Sequence, residues 1–538
     1  MKKYIKFLMT GGLLILSIGC KKDLSLPNKS AYTYDTYFTS DAALNQAVVA
    51  TYAGLLHTGL WAREWYYTFD LLGYDAKNNQ PLVGDLLQMA QYNFGPDLDV
   101  MNQTWSALYQ IIARANVVID RAQAWKPDPS KPAEATDQKQ YIAEAKFLRA
   151  YSYFQLVNCF GRVPLRTKYI PLPTPAEINL ARSPVADVWA FIEQDLKDAE
   201  AGLPVSYPAA VAATNYGRAT QGVAVALLGK SYLYEKKWSL AQTELTKLTQ
   251  APFSYALAPV YNDLFDDPNQ DNTNKNPETI FQVMNQQWTD WGIGNQYYLF
   301  GGQETWGGKA THSARAQEYG FNDWNNVLVT TTAVKAFTYP NPQNPSANYV
   351  DPRAAFTFYG DAASGGQTQY CQQCSTGPVA YPYATKGYEW LKYEYYNKTA
   401  SFGGPQSGIN GQVIRYADVL LMLAESYIQQ GNTGAQPLGL INQVRSRPSV
   451  NAPLYPSLGS QANAMTILMR ERQLELTGEQ SRYFDLIRWG IAKQTINAER
   501  QIEDGTQPFQ DKNVLFPIPL AEKNANSAIT KDVAGDWN

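Results

Sequence analysis

Arg218 to Pro252 reads RATQGVAVALLGKSYLYEKKWSLAQTELTKLTQAP, and this stretch decides the fold. Leu228-Gly229, Tyr232, Ala241, Leu245 and Pro252 fall at spacings that suit two antiparallel helices joined by a short turn. Gly229 is the small residue that lets the helices approach, and Tyr232 packs between them. Pro252, with no N–H to donate, stops the second helix. A second stretch, IRYADVLLMLAESYIQQGN (Ile414–Asn432), repeats the theme with Leu423-Ala424, Tyr427 and, beyond the turn Gly431-Asn432, Leu440. The two echoes stand 195 residues apart (423 minus 228), too far for a simple tandem array. Something large is inserted between them.

The spacing falls close to the tetratricopeptide pattern L-G-x2-Y…A-x3-F…P. Val225 takes the place of the usual Trp, and Pro252 comes one residue early. Outward from this core the helical period continues. Leu44, Val48, Tyr52 and Leu55 recur between Ser40 and about Thr58, with Ser40 or Asp41 as N-cap. Met101, Trp105, Leu108 and Ile112 share one face of a second helix, and YIAEAKFLRAYSYFQLVNCFG predicts a third ending at Gly161. Ser183-Pro184 predicts the start of a fourth, with Pro in the first helical position.

From about Phe253 to Asn410 the helical period is lost. The segment is rich in Gly, Asn, Gln, Tyr and Trp, with short strand-like pieces such as TIFQV (Thr279–Val283). Between Phe281 and Val350 only seven of seventy residues are charged: Asp290, Glu304, Lys309, Arg315, Glu318, Asp323 and Lys335. A loop-rich segment of this length inside a helical protein is usually functional. The expected fold is therefore mainly α, a scaffold of tetratricopeptide-like helical pairs with a large irregular insert carrying short strands. Its divisions are residues 40–252, the first part of the scaffold; 253–410, the ligand-binding insert; and 411–538, the closing repeat helices.

Residues 1–19 read as an address. Lys2, Lys3 and Lys6 precede the apolar run FLMTGGLLILSI, Phe7 to Ile18. As a helix that run rises only about 18 Å, too little to span a bilayer core of about 30 Å. It suits a secretory signal. LSIGC resembles a bacterial lipobox in which Cys20 is acylated, although Ser17 stands three before the cysteine where Leu is usual. Residues 20–39 suit a tether, and several acyl chains on one cysteine anchor stably. Cys371 and Cys374 form a CxxC without the strand–helix context of a redox motif, so a local disulfide is expected outside the cytoplasm.

Composition excludes several function classes. With 45 basic and 48 acidic side chains and a net charge of -3, no basic excess exists to neutralise phosphates, which argues against nucleic acid. Only His57 and His312 are present, so a His-rich metal centre is excluded and no metal or other cofactor is expected. Charged residues make up 17% and aromatics 13%, with 37 Tyr and 13 Trp. Such a surface suits neutral, hydroxyl-rich or flat ligands.

Four segments, taken together, carry a resemblance: AEAKFLRAYSYFQLVNCFGRVPL (Ala143–Leu165); the repeat helices at Arg218–Trp238 and Ile414–Asn432; RERQLELTGEQSRYFDLIRWG (Arg470–Gly490); and FPIPLAEKNAN (Phe516–Asn526) with the closing aromatic Trp537. With the lipobox-like start, the chain resembles the SusD/RagB family of Bacteroidota nutrient-uptake lipoproteins over essentially its whole mature length. The resemblance implies a non-catalytic glycan-binding protein at the cell surface. It also implies lipid anchoring in the outer membrane and a SusC-like TonB-dependent transporter as partner, over which the protein acts as a lid. Some members bind peptides instead, and the shared motifs do not name the ligand.

The residues that would contact ligand are chosen on composition alone. WAREWYYTF contributes Trp61, Trp65 and Tyr66; the insert contributes Trp288, Trp291, Tyr297, Tyr298, Trp306 and Trp324. Aromatic faces stack on the C–H faces of pyranose rings while amides and guanidinium groups bond the hydroxyls. Each ring, taken singly, also suits core beneath a long loop. A peptide ligand and a secreted glycoside hydrolase are the alternatives. The hydrolase needs two carboxylates across a cleft, and the insert offers few: Asp290, Glu304, Glu318 and Asp323. The carboxylates of Arg470–Gly490 read as structural ion pairs, Arg472 with Glu475 and Asp485 with Arg488 at i,i+3. DDPNQDN (Asp266–Asn272) lacks EF-hand spacing and reads as a solvated turn.

Overall fold

The computed structural model describes residues 34–79, 84–208, 212, 215–265, 276–285, 315–321, 325–372, 375, 377–393 and 409–529. Ser40 caps α1 (Asp41–Ala53), its hydroxyl accepting the Ala43 N–H at 3.3 Å. Leu44 and Val48 on that helix are buried against Val118 and Tyr141. The polypeptide then tightens into a π-helical turn (Thr58–Ala62) and α2 (Glu64–Leu72), and pairs briefly as β1 (Ala76–Asn78). The long helices α3 (Asp99–Ala124) and α4 (Pro132–Phe160) pack along each other, with Met101, Trp105, Leu108 and Ile112 all buried, as their spacing requires. α4 begins on Pro132 and stops at Gly161, whose φ of 68° is open to glycine without strain.

α5 (Val185–Gly202) begins one residue later than Ser183-Pro184 suggested, with Pro184 as the cap itself. The reason is local. The Ser183 N–H donates to Val163 O at 2.9 Å in an isolated β-bridge, which holds that residue extended. The helical pair read from Arg218–Pro252 is present as α6 (Gln221–Tyr234) and α7 (Trp238–Lys247). A Cβ on Gly229 would stand 2.6 Å from Leu245 Cδ2, so the absent side chain is what sets the approach of the two helices.

After α7 the insert begins. Its strand β2 (Thr279–Val283), the predicted TIFQV, pairs antiparallel with β10 (Gly411–Arg415), which leads straight into α10 (Tyr416–Gln429). Between them lie α8 (Arg315–Tyr319), β3 (Val327–Val329), α9 (Thr331–Ala336) and the hairpin β4 (Thr338–Asn341)–β5 (Asn344–Val350). The short strands β6 (Phe358–Tyr359), β7 (Gln369–Tyr370), β8 (Val379–Ala380) and β9 (Glu389–Trp390) complete it as two-stranded pairs, β6 with β9 and β7 with β8. β1 pairs with β3, and Tyr66, Tyr67 and Leu71 of α2 share one apolar core with Tyr319, Val329, Phe358 and Trp390. The insert is thus welded to the N-terminal helices as well as to its own flanks.

α10 pairs with α11 (Ala435–Arg445) and packs on α7, so two helical pairs far apart in sequence stack directly in space. Lys230 to Asp418 at 3.1 Å ties them. α12 (Gln461–Leu476), α13 (Arg482–Arg488) and α14 (Ala492–Glu503) follow, and a short helix α15 (Leu520–Ala525) comes after them. The protein is mainly α, a helical-pair scaffold with a short-stranded insert.

The C-terminal acids are structural, but not all in the expected pairs. Asp485 and Arg488 do pair at 2.9 Å. Arg472 instead reaches Asp418 and Asp485, both at 2.8 Å, and leaves Glu475 to Arg353, Arg415 and Arg447 at 3.0, 2.7 and 2.7 Å. Those arginines come from the insert, β10 and the end of α11, and all are buried. Against the upward pull of burial, Arg447, Arg415 and Arg353 together hold the Glu475 carboxyl well below its usual range.

Candidate functional site

The aromatic picks Trp288, Trp291, Tyr297, Tyr298, Trp306 and Trp324 lie outside the described residues, as do Asp290, Glu304 and Asp323 of the hydrolase alternative, Asp266–Asn272 and Cys20. What the structure does define is the mount on which those segments stand. The Asn285 N–H donates to Asn410 Oδ1 at 2.8 Å, and its side-chain amide donates to Ile409 O at 2.9 Å. At the other end Arg315 donates to Asp70 Oδ2 at 3.0 Å and to Gly478 O at 2.5 Å, with its guanidinium 3.4 Å from the Tyr393 ring centroid. The roots of segment 286–314 therefore sit against the roots of segment 394–408 at both ends. The residues that flank these two segments, one of which carries five of the six aromatic picks of the insert, are thus paired at both ends.

Trp324 is bracketed in the same region. Asn325 beyond it takes a left-handed φ of 52°, which an Asn tolerates better than most residues. It is held by two bonds, Asn79 Nδ2 donating to its carbonyl and its own Nδ2 donating to Glu389 Oε1, both at 2.9 Å. Phe321 before it packs edge-on to Tyr359, Tyr370 and Tyr381. Tyr370, Tyr383 and Tyr388 of this cluster are half-buried, and the last two have ring centroids 5.0 Å apart. Sequence reasoning missed these tyrosines. The signal was present in YPYATKGYEW (Tyr381–Trp390), whose aromatic density equals that of the tryptophan-bearing stretches.

Trp61, Trp65 and Tyr66 form no exposed platform. They are 4%, 3% and 1% exposed. Trp61 donates its indole N–H to Tyr151 Oη at 2.9 Å, Trp65 packs on Phe69 and Phe484, and Tyr66 lies beneath Arg315. These rings are core, and Tyr66 supports a root of the insert. All nine residues of α2 are buried, its polar positions Glu64, Thr68 and Asp70 included.

The acids of the mount do not make a hydrolytic pair among the described residues. Glu318 is fully buried and committed to Arg63 at 2.7 Å and to the Asn326 amide at 2.6 Å. Burial pushes Glu389 up to about 8, so its carboxyl is neutral at pH 7, but it too is fully buried and meets no substrate. Among the described residues no group of His, Cys, Asp or Glu is placed to hold a metal ion, and no helix is long and apolar enough to cross a membrane. Cys371 is disulfide-bonded, and Cys159 is a free, buried thiol.

A helical-repeat scaffold that clamps an irregular, aromatic-rich insert by its roots has the form of a ligand-presenting protein. Comparison gives the class a name. A family model described as "SusD family" matches residues 277–535, and one described as "Starch-binding associating with outer membrane" matches residues 23–233. A SusD-like protein of Formosa agariphila is 26% identical over 561 residues, covering 99% of this chain and 100% of its own. A SusD superfamily protein from Bacteroides vulgatus superposes with a TM-score of 0.72 at 26% identity, covering 92% of this chain and 99% of that one. A laminarin binding SusD-like protein superposes at 0.68 with 25% identity, covering 91% and 98%. The chain belongs to the SusD family of glycan-binding proteins.

Proposed function

We propose that the protein is a non-catalytic lipoprotein of the outer membrane, acylated at Cys20 and exposed at the cell surface, that captures an oligo- or polysaccharide. It delivers that glycan to a SusC-like TonB-dependent transporter, closing over the barrel as its lid. The observation that carries the reading is the shared mount, where the roots at Asn285 and Arg315 lock to 409–410 and to Tyr393. Such roots fix where the aromatic segment leaves the scaffold, and pre-organised loops bind at lower entropic cost. Trp288, Trp291, Tyr297, Tyr298, Trp306 and Trp324 supply stacking faces in this reading, and the half-buried Tyr370, Tyr383 and Tyr388 offer further rings. The laminarin binding relative makes a β-glucan a sensible first ligand.

The test is affinity electrophoresis of the mature protein through gels containing laminarin, starch, xylan or mannan, with reducing-sugar release followed in parallel. Retardation in at least one gel with no release of reducing ends is the expected result. Release that vanishes on replacing Asp290, Glu304 or Asp323 makes the protein a hydrolase. Retardation in none of a broad panel, with binding to a peptide library, makes it a peptide carrier.

A further inference from the structure

The C-terminal helices enclose a cleft whose lining shares no residue with the capture described above. α12, α13 and α14 wall it on three sides and the α9–β4 turn closes the fourth, around a space of about 450 Å³. Small-molecule sites occupy roughly 300–1,000 Å³. Thr338, Pro340 and Thr466 are exposed at its rim, whereas Asp75, Arg472, Arg482 and Asp485 in its lining are buried.

The lining selects a class of guest. Its ionisable groups are Asp75, Asp485 and Glu499 against Arg470, Arg472 and Arg482, three of each kind, so no large excess of either charge draws an ionic guest and a neutral molecule is favoured. Most of that charge is spent internally, Arg482 on Glu499 and Arg472 on Asp485. Asp75 is only partly committed, its Oδ2 accepting the Gly478 N–H at 3.4 Å. It is 2% exposed, and its Oδ1 has no hydrogen-bond partner, lying 3.6 Å from Arg482 Nε. That distance is an ion-pair approach, too long for a hydrogen bond. Gln473 and Ser481, both half-buried, add an amide and a hydroxyl for which no bond to another described residue is formed. Trp489 stands beside Leu486 and Ile491, its indole N–H fixed by Glu425 at 2.9 Å. An acceptor, an amide and a hydroxyl around an indole are the groups that recognise a sugar ring.

We propose that this cleft is a second saccharide-binding site, taking a short neutral sugar independently of the aromatic residues of the insert. The choice of a sugar over another neutral polyol rests on the glycan-capture function proposed above. A site that holds a short end of the chain while the insert holds its body raises affinity through effective concentration alone.

The test uses the full mature chain with glucose, galactose, mannose, cellobiose and laminaribiose as probes, read by saturation-transfer NMR and calorimetry. Three variants accompany the wild type: Gln473→Ala with Ser481→Ala, Asp75→Asn, and Trp306→Ala in the insert. At least one probe should bind the wild type. The Gln473/Ser481 pair and Asp75→Asn should each weaken it at least fivefold at an unchanged melting temperature, and Trp306→Ala should leave it intact. The paired variant touches only half-buried groups, so it tests the site even where Asp75→Asn alters the fold. Two results overturn the cleft: no probe binds, or binding falls with Trp306→Ala and not with the cleft variants. Polysaccharide retardation judges glycan capture separately, so a chain that retards but takes no short sugar sinks this proposal alone.

Discussion

At Glu475 one buried carboxylate meets three guanidinium groups, and the pairing fixes the register of three separate elements. Replacing it removes one carboxylate from the buried Arg353, Arg415 and Arg447, whose remaining partners are Asp351, Glu471, Glu278 and Glu479. Breaking a buried pair costs about 3–5 kcal/mol, so Glu475→Gln should lower the urea midpoint by that equivalent, measured by equilibrium unfolding. A change below about 1 kcal/mol would show the network to be energetically neutral. Glu389 behaves in the opposite sense. Burial raises it from 4.5 to about 8, so the folded protein holds a proton that the unfolded chain releases. Stability is therefore fully present below the unfolded value and falls as pH rises from about 4.5 towards 8. The slope approaches about 1.4 kcal/mol per pH unit for one such group. Glu64 and Asp75, raised by burial to about 7, add to the same slope. Lys392, pushed down by burial to about 8, acts only above that window, where stability rises with pH. Melts from pH 5 to 8 should thus decline, and Glu389→Gln should flatten the decline; an unchanged profile would mean that Glu389 is ionised in the fold.

At the scale of elements, the α6–α7 contact is the most direct statement of the helical-pair fold. Gly229 lies where any Cβ meets Leu245, which is itself buried. Overpacking a filled contact costs about 1–3 kcal/mol, so Gly229→Val should destabilise by that amount, and adding Leu245→Ala should recover part of it. Strict additivity of the two changes would place the glycine away from the contact. The elements legible in the sequence are those with one wet face and one dry face, such as α3 with Trp105 and Leu108, and those with strong ends, such as Ser40 and Gly161. In α2 the polar positions Glu64, Thr68 and Asp70 are buried with the apolar ones, which no local pattern reveals. The insert's strands of two or three residues carry no period at all, and only TIFQV has the run of β-branched and aromatic residues that marks a strand. Among ion pairs, Asp485–Arg488 was legible because it is local. Arg472–Asp418 spans 54 positions and no spacing rule reaches it.

At the scale of the whole molecule the proposed lipid anchor can be tested by itself. Cys20→Ala should abolish acylation and move the protein from the membrane to the soluble fraction, checked by fatty-acid labelling and fractionation; unchanged labelling would contradict the lipid anchor. The composition that suggested a neutral ligand directed attention to the aromatic segments, yet it could not separate exposed rings from core. Trp61 and Trp65 went to the core, while Tyr383 and Tyr388 went unnoticed beside Asn325 and Glu389. The central claim, that the insert's aromatic residues bind glycan, separates from the core alternative in one measurement. Trp288, Trp291, Trp306 and Trp324 are each changed to Ala, affinity for the retained glycan is read by calorimetry, and stability is read by thermal melts. Loss of a stacked ring costs about 1–3 kcal/mol, or roughly 5- to 150-fold in affinity, whereas loss of a core Trp costs about 3–5 kcal/mol of stability. The account predicts that at least one of the four loses affinity in that range with a nearly unchanged melting temperature. Four variants that all melt early and bind as the wild type does would contradict it.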